Sequence, residues 1–474
     1  MSLQRLLGMG LSTAAMSFAA AAWPNGPLAT SGRWIKDASG STVTYAGVNW
    51  PGHVDTMIPE GLQYQSVETI VSKIKSIGIN SIRLTYAIEM IDQIENNGGN
   101  DIPIRTAFTN ALGQDNGTAI YEKVMTNNPA FGDETTRLQV FDAIATECHK
   151  QEIYVHLDNH VSKAGWCCSP LDGNTWWGDT YFSTANWTRG LSYMADHGKQ
   201  WPNLMSMSLR NELRQPLLNK ELYSDSYNWE DWYKYTKQGA DAIHSANSDV
   251  LIFLSGLDSD TTLQPVVENT ALTPGSSTFQ RADFNGYGDK LVLELHNYAN
   301  ILGGSEATNC TALQGDLSDD GFKALATDAP NQFPVVMTEY GFEQDSTTPQ
   351  DAFASCIEEY LADQQAGWMI WALSGSYYIR EGTQDGDEPW GLLTHDWSDW
   401  RSPEYVEGKL TPLVKSTLAV NGTDQSSSVG QDGGSSGNGT SGDSGAQSGP
   451  RAGDVQTSVL LALIVGLAMT CILA

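Results

Sequence analysis

Eight short apolar runs, separated by segments of helical period, constrain this chain more than any other feature. The runs are Val43–Asn49, Ser81–Thr85, Ile153–Leu157, Leu204–Leu209, Val250–Ser255, Leu291–Leu295, Pro334–Thr338 and Gly367–Ala372. Helix-period stretches fall between them at Val67–Ile77, Thr135–Lys150, Ala185–His197, Trp229–Ala246 and Pro349–Gln365. Strands joined by helices run parallel, because the helix carries the chain back to the same edge. Eight such units predict a (β/α)8 barrel in a single domain. The rival is an open doubly wound sheet, but no early strand is followed by the Gly-rich phosphate loop such a sheet uses.

The two ends read as addresses. Arg5 precedes a Leu/Ala-rich run that closes at Ala20, Ala21 and Ala22, the layout of a secretory signal over residues 1–22. Residues 23–419 form the expected barrel domain, and residues 420–449 a Ser/Gly-rich stalk with too little apolar surface to fold. Residues 450–474 end in an apolar tail from Val459 with no cation after it. A membrane span needs about 20 apolar residues, so the tail reads instead as a removable glycosylphosphatidylinositol signal. Small residues before the spacer place attachment at Ser444. Membrane association by lipid anchor only, a cell-surface or cell-wall location and a monomeric state are therefore expected.

The formal net charge of -30 offers no basic footprint, which excludes a nucleic-acid partner. Asn116, Asn186, Asn309, Asn421 and Asn438 open N-x-[ST] sequons, as expected of an exported glycoprotein. Leaving aside Cys471 in the removable tail, Cys148, Cys167, Cys168, Cys310 and Cys356 remain, an odd number. A disulfide between adjacent cysteines closes a strained ring. At least one of Cys167 and Cys168 is therefore expected to pair with Cys148, Cys310 or Cys356, leaving one free thiol.

Nearly every strand-like run ends in polar residues: Asn49-Trp50, Arg83, Asp158-Asn159-His160, Arg210-Asn211-Glu212, His296-Asn297-Tyr298, Glu339-Tyr340 and Trp371. In a (β/α)8 barrel those ends converge on one face, so these residues should share a cleft. Glu212 and Glu339, after the fourth and seventh strands, are then the pair of carboxyl groups that glycosidic cleavage needs. No cofactor and no metal site is expected. His156, Asp158 and His160 would share one strand face, but nothing nearby completes a ligand shell. The Trp-rich stretch Trp166–Trp177 reads either as core or as added sugar subsites, with subsites favoured by its place after the third strand.

"RNE" after the fourth strand, "HNY" after the sixth, "TEYGF" after the seventh and "GWMIWAL" on the eighth together resemble glycoside hydrolase family 5. "GVNW", "SIRLTY" and "LDNH" extend the resemblance to strands one to three, and "LDNHVSKAGWCCS" and "GSYYIREG" are similar to a plant and fungal extracellular branch. The resemblance implies a retaining β-glycosidase acting on β-linked glucan or a related wall polysaccharide. Glu339 would be its nucleophile and Glu212 its acid/base, with the carboxylates about 5–5.5 Å apart. Asn211, Arg83, His160, His296, Tyr298 and Trp371 would hold sugar or nucleophile, and an Arg beside Glu339 should keep it ionised. The family usually has Pro after the acid/base; here Leu213 stands there, which puts the leaving-group side in question. A non-catalytic carbohydrate-binding protein, a mannan- or glycolipid-specific relative and a metal-dependent hydrolase are the alternatives.

Overall fold

The computed structural model describes residues 23–299 and 310–422. The expected export signal, most of the expected stalk, the expected anchor signal with Ser444, and the sequons at Asn309 and Asn438 lie outside the described residues. Eight parallel strands close a barrel: β1 (Ala46–Trp50), β2 (Ser81–Ala87), β3 (Tyr154–Val161), β4 (Leu204–Ser208), β5 (Leu251–Leu254), β6 (Leu291–Asn297), β7 (Val335–Tyr340) and β8 (Gly367–Ile370). Each of the eight expected runs is one of these strands, and the helices between them fall where the periodicity placed them. Their starts are set locally: Ser66, Ser183 and Asn228 accept backbone N–H groups, and Thr136 and Gln139 form a capping box at Arg137–Lys150.

Side chains alternate along each strand, so the outward residues meet the helices and the inward ones fill the barrel. Ile82, Leu84, Val155, Leu157, Ile252, Leu293 and Met337 belong to the large helix-facing core. Inside, the lower end is apolar, with Tyr45, Tyr154, Leu251, Phe253, Val292, Val336 and Met369 in one cluster. That end is covered by a three-stranded antiparallel sheet, Ala29–Ser31, Trp34–Lys36 and Thr42–Val43, through Leu28, Ile35 and Val43. Val43, expected to start the first barrel strand, lies in this cover instead.

Two additions rise around the mouth. Helices Ile88–Asn96, Ile104–Leu112 and Gln114–Asn127 follow β2, and an antiparallel hairpin, Ser376–Arg380 with Thr383–Asp387, follows β8. The cysteine expectation is corrected in its pairing. Cys167 and Cys168 are bonded to each other, Cys310 to Cys356, and Cys148 is the free thiol. Cys148 is sealed in the core under Arg137–Lys150, and Cys310 and Cys356 meet across two neighbouring helices with Cα atoms 5.0 Å apart. Of the other described cysteines, Cys310 and Cys356 are spent on each other and the free Cys148 is buried. Among the described sequons Asn116 is exposed, whereas Asn186 and Asn421 are half-buried.

Candidate active site

Asn49, Arg83, Asp158, His160, Asn211, Glu212, His296, Tyr298 and Glu339 meet at the mouth of the barrel. They come from six strands or the turns just after them. Arg83 is the hub. It is fully buried, and its guanidinium reaches Glu339, Asp158 at 3.0 Å, the Asn49 Oδ1 at 2.9 Å and the Asn211 Oδ1 at 2.8 Å. A fork of fixed donors holds several acceptors at set angles, which a lysine could not do.

Both glutamates depart from regular strand geometry. Thr338 already points inward, where it accepts or donates toward His296 and Glu294. The register of β7 against β6 shifts between Met337 and Glu339, so the next side chain also turns into the mouth. Glu212 follows β4 with φ +47°, a conformation that is costly for a residue with a Cβ. Its amide is held by the Asp260 carboxylate at 2.7 Å. Asp260, from the turn after β5, was not legible as a site residue: its only local sign is an acidic turn, Asp258-Ser259-Asp260, on surface-like sequence.

The carboxylates share His296, whose Nδ1 lies 3.1 Å from Glu212 and 3.7 Å from Glu339; one oxygen of each glutamate and a His296 nitrogen all lie within 4.8 Å of one another. The environments differ. Glu339 is gripped by Arg83 and accepts the Tyr298 hydroxyl at 2.7 Å. Glu212 has no side-chain cation bonded to it in the way Arg83 is bonded to Glu339. Burial pushes its pKa up to about 7, against partial relief from Arg214 and Arg83. Burial also raises Glu339, with His296 and Arg83 opposing the rise. Arg83 therefore limits the rise of Glu339 without lowering its pKa below the ordinary range, as the sequence had suggested it would. Burial pushes His296 down to about 4, so it is neutral and donates or accepts by tautomer.

The remaining expected residues fall around this pair. Trp371 stacks near-parallel to the His160 ring at 5.5 Å, and His53, unforeseen, lies 3.8 Å from His160. His160 gives its Nδ1 to Asp158 at 2.6 Å and turns its Nε2 toward Asn211 at 3.4 Å. His156 spends both ring nitrogens on Ser206 and Ser208, at 2.8 and 2.7 Å. With Asp158 on Arg83 and His156 on two hydroxyls, the "HLDNH" run presents no shared ligand set. Glu294, deeper in the barrel, accepts from Ser208 at 2.7 Å and Thr338 at 3.0 Å, and burial pushes it up to about 7.

Two expectations about flanking residues change. Leu213 is buried in the helix-facing core and is not among the residues that line the cleft. The Trp-rich stretch divides: Trp176 and Trp177 are packed against Tyr227, Trp187 and Tyr235, whereas Trp166 lines the cleft. The cleft encloses about 340 Å³, and its walls also include Cys167, Cys168, Arg380, Glu388 and Trp390. Arg380 stands on the hairpin after β8 and Glu388 and Trp390 just beyond it, where sequence reading named no site residue.

A family model described as Cellulase (glycosyl hydrolase family 5) matches residues 37–376. A glycosyl hydrolase 5 family protein of Chamaecyparis obtusa is 35% identical over 396 residues, covering 80% of this chain; the chain spans 65% of that protein's length. An endoglucanase of Paenibacillus polymyxa is 21% identical over 82% of this chain and 88% of its own. Among solved structures, an endocellulase from Pyrococcus horikoshii in complex with cellotetraose superposes with a TM-score of 0.61 at 18% identity, covering 82% of this chain and 99% of that one. The catalytic domain of the major endoglucanase from Xanthomonas campestris pv. campestris does so at 0.57, with 18% identity and the same coverage. At these identities the structures establish the shared barrel.

Proposed function

The chain belongs to glycosyl hydrolase family 5, and from that premise we propose that it hydrolyses β-linked glucan or a related β-glycoside by double displacement. The observation that carries the reading is the pair Glu212 and Glu339, with oxygens within 4.8 Å of each other. Carboxyl groups about 5–5.5 Å apart act as nucleophile and acid/base, whereas about 6.5–9.5 Å leaves room for a water, and so close an approach of single oxygens supports the shorter arrangement. Glu339, ion-paired and bonded by Tyr298, attacks the anomeric carbon and forms a glycosyl ester. Glu212, protonated at rest, donates its proton to the departing oxygen, then takes one from the water that cleaves the ester. Arg83 sets the position of Glu339 and Asn211 together. Trp371 offers a flat face to a sugar whose axial C–H groups point toward it, which glucose meets.

The test is proton NMR of product anomers during hydrolysis of β-1,3-, β-1,4- and β-1,6-glucans, mannan and aryl β-glycosides. First appearance of the β-anomer is expected; early α-anomer, or no turnover on the whole panel, sinks the reading. Export and surface anchoring complete the proposal, supported by the sequons and by the Cys310–Cys356 bond. Release from intact cells by a phospholipase specific for the anchor checks it. Retention of Val459–Ala474 in the mature protein counts against it.

A further inference from the structure

The cleft is walled on the side facing away from the leaving group. Glu212 must protonate the leaving oxygen, so that group lies toward β4, and the sugar it leaves lies over Trp371 toward β8 and β1. On that side the two loops meet. Trp166, after β3, sits under the Arg380 guanidinium at 4.3 Å and edge-on to Tyr377 at 5.3 Å. The hairpin is also braced from behind. The Tyr64 hydroxyl binds the Asp385 carboxylate at 2.9 Å, Gln384 donates to the Leu112 carbonyl at 3.0 Å, and Phe108 packs edge-on to Tyr378 at 4.8 Å. Helices after β2 and the β8 hairpin thus form one buttress.

Inside this wall stand polar groups that line the cleft. Glu388 is 1% exposed and lines the cleft; one carboxylate oxygen accepts the Trp390 N–H at 3.1 Å, and the Tyr377 hydroxyl stands beside the same carboxylate. The Arg380 Nε–H makes no hydrogen bond, and Arg380 and Glu388 do not form an ion pair although both face the cleft. Trp390 lies 5.5 Å from Tyr298 and packs beside Trp371. A carboxylate and a half-buried guanidinium that both line the cleft beside an aromatic face are the complement of a pyranose ring with its equatorial hydroxyls.

The geometry points to a closed site for the non-reducing terminal β-glucosyl unit, in which Glu388 and Arg380 bind its hydroxyls and Trp166 blocks any further sugar. The protein would then release units from chain ends or cleave short β-glucosides, and would not cut inside a polymer. This rests on the hydrolase reading above and names its substrate class. A cleft of about 340 Å³ fits it, being at the small end of the usual range of about 300–1,000 Å³ for ligand sites.

The experiment uses the full extracellular protein on β-gluco-oligosaccharides tagged at the reducing end and on a soluble β-glucan. Mass spectrometry should find tagged products shorter by one unit at a time, while polymer viscosity stays constant. Glu388→Gln should raise KM for untagged short β-glucosides about tenfold or more with kcat less affected, and Trp166→Ala should permit internal cuts. Thermal unfolding of both variants checks that they fold. Rapid viscosity loss by the wild type, or an unchanged KM in folded Glu388→Gln, overturns the closed site while leaving the hydrolase reading intact. If no substrate turns over, the hydrolase reading falls, and calorimetric titration with cellobiose still decides the site: binding that Glu388→Gln weakens supports it, and equal binding or none overturns it.

Discussion

The two ends of the barrel interior are built on the same strands and do opposite things. Tyr154, His156, Asp158 and His160 follow one another at steps of two along β3, as do Val292, Glu294 and His296 along β6. The first member of each series lies in the apolar cluster at the floor, His156 and Glu294 bond hydroxyl groups in the middle, and Asp158, His160 and His296 belong to the ionic network at the mouth. The floor gains stability from area removed from water. The mouth buries charges, which costs free energy unless every one is paired or bonded, and Arg83 pairs two of them, Asp158 and Glu339. The lesson is that one alternation supplies both stability and chemistry, and the division comes from how far up the strand a residue stands.

The sharpest way to break this comparison is to change one residue at each end. Glu339→Gln should cut kcat by about 10³-fold or more while the thermal midpoint stays close to wild type, because the change keeps shape at the cleft surface. Phe253→Ala, at the floor, should cost about 3–5 kcal/mol of stability while the folded fraction stays active. A destabilised Glu339→Gln with residual turnover would join the two ends into one role. Glu212→Ala comes next: a loss of about 10²–10⁴-fold on substrates with poor leaving groups, and far less on an activated aryl glycoside. Equal losses on both substrates would remove Glu212 from proton transfer.

A smaller effect is set by pH. Glu212 works as an acid only while protonated, so kcat/KM should fall as pH rises through about 7, and Glu212→Gln should lack that limb. Rapid-quench kinetics across pH 5–9 in buffers of constant ionic strength checks this; the range is roughly that over which such a group titrates. The smallest effect is on stability. Glu212 and Glu294, with folded pKa values raised to about 7 from 4.5, favour the folded state fully below about 4.5, and lose that contribution as pH rises through about 7. The thermal midpoint should therefore be higher near pH 5 than near pH 8, and Glu294→Gln should shrink the difference. A midpoint that rises over this interval would show that the mouth is not the end whose charges limit stability.

Much of this was legible in the chain. The barrel followed from eight apolar runs, and the strand-end rule brought Arg83, His160, Asn211, Glu212, His296, Tyr298 and Glu339 together, as the Arg83 and His296 contacts bear out. What was misread lay in loops. Trp166 and Trp177 belong to one Trp-rich stretch, yet one faces the cleft and the other the core. Asp260 sits in a polar turn and Glu388 just beyond an acidic hairpin, both indistinguishable by composition from solvated surface.

Periodicity is a local property, and sequence by itself determined what depends on it: the strands, their inward and outward faces, and the residues at their ends. Contacts between loops from distant strands depend on where the closed barrel puts them, and no local pattern carries that. Tertiary structure alone decided that Cys167 bonds Cys168, that Cys148 is sealed away, and that Asp260 holds the Glu212 amide. It also decided that the hairpin after β8 meets Trp166 to wall the cleft. The reason is that burial turns an ordinary surface carboxylate or tryptophan into a site residue, and burial is a property of the assembled fold.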